Sequence, residues 1–216
     1  MPPKRQVRVG TQWMRARDAQ RVLEEAIRVS EEEGRDEGHH VSFLRQYVFS
    51  TDHKWIGIQY AVTALCFLLL GFSMMLLMRY QLAWPGQPFH PWIAKFLGAA
   101  NAPGGIMLPE FYNQLGAMHG TVMVFLAIVP LAVGAFGNYV VPLQIGAPDM
   151  AFPKLNMMSY WGYLPRGLMM LLSFLVPGGA ANSGWTSYPP LSVIAGQGQT
   201  VWILGMVLLI TSSLLG

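Results

Sequence analysis

The chain has 216 residues, 53% of them hydrophobic and only 12% charged, against about 25% charged in soluble domains, so it is not an ordinary soluble protein. The single cysteine, Cys66, excludes an intramolecular disulfide, a multi-cysteine iron–sulfur site and covalent haem attachment through a CxxCH motif. The net charge of +3 does not point to a nucleic-acid partner: ten of the 14 Lys and Arg and nine of the 11 Asp and Glu precede Trp55, which leaves a charged tail followed by a nearly uncharged remainder.

Residues 1–48 form the polar tail, expected to be partly helical or disordered. Val22, Leu23, Ala26 and Ile27 make one weak amphipathic face, and the adjacent His39 and His40 read as solvated tail residues rather than a metal tract. The basic start is followed by too much charge for the apolar region of a signal peptide, so the first hydrophobic run is expected to stay in the membrane. That run, about 55–80, is long enough to cross a ~30 Å hydrocarbon core. A second covers about 115–145 with no charged residue, and a third covers about 155–176 with Arg166 inside it. A fourth, about 201–216, stops short of the ~20 residues a span needs, as if the chain ended part-way through a helix.

Basic residues set the orientation. The residues before Trp55 carry ten of them and the loop after the second run carries Lys154, whereas the Trp84–Tyr112 loop carries Lys95 alone. The positive-inside rule then puts the tail and the Asp149 loop in the cytoplasm. The Trp84–Tyr112 and Pro177–Thr200 loops, rich in Gly, Pro and aromatic residues, face outward.

His119 stands at the outer end of the second run with no charge nearby, flanked by Gly116 and Gly120. A titratable ring at this depth needs a hydrogen-bond partner, a water-filled cavity or a metal. The glycines allow either a flat macrocycle or a neighbouring helix to approach. Further along lie Asn138, Asp149, Asn156, Ser159, Ser212 and Ser213. An acid at a mouth followed by amides and hydroxyls suits a file of ordered water. Local capping and own-helix bonding account for the same residues, and on the residues alone that is the favoured reading.

The stretches "STDHKWIG", "MHGTVMVF", "GNYVVPLQIGAPDMAFPKLN" and "SGWTSYPPLS" occur in this order. Together they resemble the N-terminal part of subunit I of the haem–copper cytochrome oxidases, of the bacterial D-channel type, over about residues 49–216. The resemblance implies an all-α membrane protein, with about four transmembrane helices from the N-terminal part of a twelve-helix bundle.

It further implies that His119 is an axial ligand of a low-spin haem of the a type, that Arg79 hydrogen-bonds the formyl group of that haem, and that Tyr112 lies close to it. Trp185 and Tyr188 match outer-loop aromatics, the tryptophan near a propionate of the high-spin haem. Asp149 matches the D-channel entrance, Asn138 and Asn156 its asparagine pair, and Ser159, Ser212 and Ser213 hydroxyls further up. A high-spin haem and copper belong to the full subunit, whose copper ligands lie downstream of this segment. No catalytic residue is expected here.

The implied enzyme oxidises cytochrome c, reduces dioxygen to water and pumps protons from a bacterial inner membrane, with the N-terminus cytoplasmic. The implied partners are the remaining subunit I helices, subunits II and III, cytochrome c and the lipid bilayer. The segment alone is expected to be inactive. The alternatives are a quinol oxidase subunit I of the same fold and a non-catalytic truncated membrane protein. One departure from the family pattern is Arg166, whose charge costs roughly 2.5–3.5 kcal/mol at such depth unless it snorkels or finds a partner.

Overall fold

The computed structural model describes residues 6–9, 12–15, 20–22, 24–25, 27–28 and 43–216. The chain divides into two units, Met1–Val48 and Phe49–Gly216. In the first, β1 (Gln6–Val9) and β2 (Gln12–Arg15) pair antiparallel, with Val7 opposite Met14. This hairpin was not foreseen in a tail read as partly helical or disordered. Described residues between 20 and 28 are helical, with Val22 and Ile27 exposed. Leu23, Ala26, His39 and His40 lie outside the described residues.

Every secondary-structure element of the second unit is helical. Helix α1 (His53–Ala83) begins at an N-cap in which Asp52 Oδ1 accepts from the Lys54 amide at 2.8 Å. No proline interrupts it until Pro85, so it runs for 31 residues. A short helix, α2 (Pro91–Leu97), sits in the following loop. Helix α3 runs continuously over Pro109–Ile145. Its first turn lies two turns ahead of the expected start at Leu115, which places Tyr112 on a helix rather than in a loop. Pro130 has no amide to donate, and the helix widens into π turns over Val122–Ile128 and Pro130–Gly137. The Val129 amide accordingly reaches the Val124 carbonyl five residues back.

Helices α1 and α3, with mean hydropathy 2.4 and 2.1, are long and apolar enough to cross a membrane. Helix α4 (Pro153–Leu172) is followed by a 3-10 turn at Ser173–Leu175, and α5 covers Gln197–Ser213. They lie antiparallel: Gly205 of α5 abuts Met170 and the Arg166 carbonyl, while Gly216 just beyond it abuts Ser159.

Helix α1 buries one stripe, Ile56, Tyr60, Ala64, Phe67, Gly71 and Met74, at helical spacing. Val62, Leu69, Phe72 and Leu76 on its other sides stay exposed, the all-round apolar pattern of a helix in lipid. The stripe meets α3 through small residues. A Cβ on Gly134 would come 2.6 Å from Tyr60 Cδ1, and one on Gly71 would come 2.7 Å from Met123 Sδ. Close backbone approach through glycine is how helices associate where lipid competes for apolar contact. Replacing Gly134 with Val will therefore force Tyr60 aside and destabilise the α1–α3 pair by about 1–3 kcal/mol. A thermal melt of the purified complex checks this, and an unchanged midpoint would refute it.

Two buried glutamines pin the loop between α4 and α5. Gln114 of α3 donates through Nε2 to the Gly178 carbonyl at 3.0 Å and accepts the Ala180 amide at 3.2 Å. Gln199 of α5 accepts from the Ser183 hydroxyl at 2.7 Å and donates to the Ser187 hydroxyl at 2.9 Å. The Gln114 bonds hold the segment between α4 and α5 against the N-terminal part of α3, and the Gln199 bonds hold it against α5.

Candidate functional site

His119 lies in the second half of the first α-helical stretch of α3 and is half-buried against α1. Its Nδ1 is 2.8 Å from the Gly71 carbonyl oxygen. A carbonyl only accepts, so Nδ1 carries the proton and Nε2 keeps its lone pair. Metal-binding imidazoles are commonly fixed this way, with the second nitrogen donating to a carbonyl. Gly71 suits the role because α3 approaches closely where α1 has no side chain.

One turn from His119 along α3 lies an open groove of about 510 Å³, lined by Tyr112, Asn113, Gly116 and Ala117 of α3 and by Asn182, Ser183, Gly184 and Leu191 of the α4–α5 loop. Gly116 is bounded by Met78, 3.4 Å from where a Cβ would stand, and Gly120 faces Trp185 at 3.9 Å. The Asn182 Oδ1 is buried without a hydrogen-bond partner. His119 shares the Tyr112–Gly116 side of the helix but is not among the groove's lining residues. Trp185 is 54% exposed beside Phe125, and Tyr188 is 71% exposed. Arg79, two turns beyond Gly71 on α1, is exposed and makes no hydrogen bond to this group.

The second constellation begins roughly 28 Å away, at 1.5 Å per residue along α3. Asn138 and Asn156 are joined directly: Asn156 Nδ2 donates to Asn138 Oδ1 at 2.7 Å. Asn138 Nδ2 donates to the Gly134 carbonyl at 2.7 Å, and the Asn138 carbonyl accepts from His53 Nδ1 at 2.8 Å. One turn on, the Ser159 hydroxyl meets the Tyr60 hydroxyl at 2.8 Å, and Ser212 Oγ donates to the Ser159 carbonyl at 2.6 Å. Tyr60 stacks on Tyr163 with ring centroids 5.3 Å apart. Tyr163 in turn donates to the Leu126 carbonyl at 2.6 Å. The result is a buried line of uncharged donors and acceptors between α1, α3, α4 and α5.

Of the six residues expected on this path, Asn138, Asn156, Ser159 and Ser212 come together. Asp149 lies in the α3–α4 loop, its Oδ1 accepting the Met150 amide at 2.7 Å, with no hydrogen bond to either asparagine. Ser213 is exposed and donates to the Ile210 carbonyl at 2.8 Å. Adjacent helix positions point about 100° apart, so only one of the two serines faces the line.

A family model for cytochrome c and quinol oxidase polypeptide I matches residues 55–216. The chain belongs to that family. It is 47% identical over 171 residues to cytochrome c oxidase subunit 1 of Thermostichus vulcanus, covering 79% of this chain and 28% of that protein. Against cytochrome c oxidase subunit 1 of Synechocystis sp. the identity is 46% over 171 residues, covering 79% and 27%. The probable cytochrome c oxidase subunit 1-beta of Nocardia farcinica is 46% identical over 178 residues, covering 81% and 27%. The chain thus spans little more than a quarter of the length of these relatives. It is a membrane protein of the haem–copper oxidase type.

Within this oxidase family setting, the donor set fits an axial haem site. His119 presents a free Nε2, and Gly116 and Gly120 keep Cβ atoms out of the space beside it. Among the described residues no three His, Cys, Asp or Glu side chains gather into a metal-binding cluster. Two residues escaped sequence reasoning. His53 is only 1% exposed, yet its neighbours Asp52 and Lys54 mark it as a polar boundary. Tyr60 looks like one aromatic among many in an apolar run. Only its spacing, one turn from Ile56 on the buried stripe, hinted that it faces inward.

Proposed function

We propose that the full-length protein is the catalytic subunit of a terminal respiratory oxidase, passing electrons from cytochrome c to dioxygen and coupling the reaction to proton translocation. Residues 49–216 would supply one ligand to a haem iron and the lower part of a proton path. The observation that carries this reading is His119, its Nδ1–H held by the Gly71 carbonyl at 2.8 Å and its Nε2 left free beside a glycine-bordered groove.

His119 would hold the iron of a low-spin haem, with Tyr112 at its side, Arg79 toward its periphery, and Trp185 and Tyr188 covering the outer loop. A haem bound there supplies one-electron redox chemistry. The Gly71 carbonyl fixes the imidazole tautomer and ring plane, so no reorientation is needed when the charge on the site changes.

On the cytoplasmic side, Asp149 takes up protons at the mouth. His53, Asn138 and Asn156 form the next station, and Ser159 with Tyr60 and Ser212 the one beyond. Amides and hydroxyls orient water in both directions without trapping a charge. The tail and the Asp149 loop lie in the cytoplasm of a bacterium, and α1, α3, α4 and α5 cross its inner membrane. Oxidase subunits II and III and the remaining helices of subunit I complete the assembly.

Cytochrome c is preferred to quinol as donor because the relatives named above are cytochrome c oxidases, although the family description covers both. Oxygen uptake by the purified complex, driven in turn by reduced cytochrome c and by a quinol, distinguishes them. Faster uptake with quinol would overturn the donor assignment, and a complex without haem absorbance would favour a non-catalytic membrane protein. Asp149→Asn in the same complex is expected to slow proton uptake and turnover several-fold and to leave the haem spectrum unchanged, since asparagine cannot ionise. Proton release by vesicle-reconstituted enzyme is the measurement, and native rates would remove Asp149 from the path.

A further inference from the structure

Arg166 sits in the interior of α4, thirteen residues after Pro153 and six before Leu172. Its guanidinium folds back over Gly162, where any Cβ would overlap it. Glycine at this position therefore makes a cradle for the charge. The fold-back also points the side chain toward the N-terminal end of α4, the direction helical side chains favour. That carries it away from the nearer end of the helix, roughly 9 Å off at 1.5 Å per residue, so it does not snorkel to the closer interface. Nη1 is buried and has no hydrogen-bond acceptor.

The segment cannot supply the missing charge. Among residues 49–216 the side-chain carboxylates are Asp52, Glu110 and Asp149, and Asp52 caps α1 through the Lys54 amide. Glu110 is exposed in the first turn of α3, and Asp149 lies in the loop before α4 with Oδ1 occupied by the Met150 amide. The Tyr60 hydroxyl is close enough to Arg166 to interact electrostatically, but it is a neutral group already bonded to Ser159. A guanidinium is permanently charged, and its fork of N–H groups matches a carboxylate in bidentate geometry.

We infer that Arg166 is the receiving half of a buried ion pair, and that its partner is an aspartate or glutamate from the portion of the subunit that the relatives carry beyond the quarter matched here. Such a pair would tie α4 to a later helix and fix where that helix seats against the Tyr60–Ser159 side of the segment. The inference depends on family membership and not on the haem or proton-path assignments.

The test uses the full-length subunit in its assembled complex. The variants are R166L, R166K, and R166L combined in turn with neutralisation of each membrane-helix Asp or Glu beyond residue 216. The readout is the yield of complex that survives detergent extraction and heating, measured by size-exclusion chromatography, which does not depend on redox activity. R166L should reduce that yield roughly tenfold or more by stranding a buried carboxylate. R166K should be intermediate, because the charge remains and the fork is lost. One carboxylate neutralisation should restore the R166L complex to near-native yield, and the same neutralisation alone should be harmful. Native yield for R166L would overturn the inference. So would a loss that no neutralisation rescues, which would mean that water or a lipid phosphate satisfies the guanidinium.

Discussion

His119→Ala in the full-length subunit is expected to remove the low-spin haem from the assembled enzyme. The geometry makes the case stronger than the sequence position alone. The imidazole is tied at Nδ1 to the Gly71 carbonyl at 2.8 Å, and its remaining nitrogen is a lone-pair donor with no protein partner. A neutral imidazole held in this way is a strong axial ligand, and alanine offers nothing in its place. The substitution itself is mild for the fold. Gly71 lies within α1, so its carbonyl keeps its helical role when the histidine bond is lost, and the site is only half-buried. Loss of haem with the complex still assembled is therefore the expected pairing of results. A reduced-minus-oxidised spectrum with the low-spin band at full intensity would remove His119 from the ligand set. Gly120→Val adds an independent check, because its branched side chain would intrude on the space facing Trp185 while leaving the ligand in place. Weakened or spectrally shifted haem is expected there.

The parts of this molecule that were legible in the sequence are those in which one residue type declares its environment. Runs of apolar residues gave α1 and α3, because a helix surrounded by lipid is apolar on every side. The start of α3 was less legible. Pro109, Glu110, Asn113 and Gln114 read locally as loop, yet Gln114 is buried because it bonds Gly178 and Ala180, more than 60 residues away. His53 was hidden for the same reason: its burial comes from the Asn138 carbonyl, 85 residues along the chain. Ser212 and Ser213 are chemically identical, and only the packing of α5 against Ser159 separates them. Arg166 was conspicuous in the sequence as a charge without a purpose. The structure adds Gly162 beneath it and the direction in which it points, neither of which periodicity contains.

Asn156→Leu is expected to cut proton-coupled turnover by about tenfold or more while the haem spectrum stays native. Asn156 Nδ2 donates to Asn138 Oδ1 at 2.7 Å, and both residues are buried. Leucine is close in size, so the packing of α4 against α3 survives in outline. The polar function does not survive. Asn138 Oδ1 loses its donor inside an apolar bundle, at a cost of about 1–3 kcal/mol. The same site loses the amide that would orient water between the His53 end of the line and Ser159. Interrupting the water file needs to raise the barrier to proton passage by only ~1.4 kcal/mol to slow it tenfold. His119 lies roughly 28 Å from Asn138 along α3, and its bond to Gly71 involves no residue of this line, so its ligation should not respond. Stopped-flow proton uptake and oxygen consumption, measured beside the optical spectrum, separate the two constellations. If turnover fell only in proportion to haem content, the asparagines would be packing residues and the proton path would have to run elsewhere.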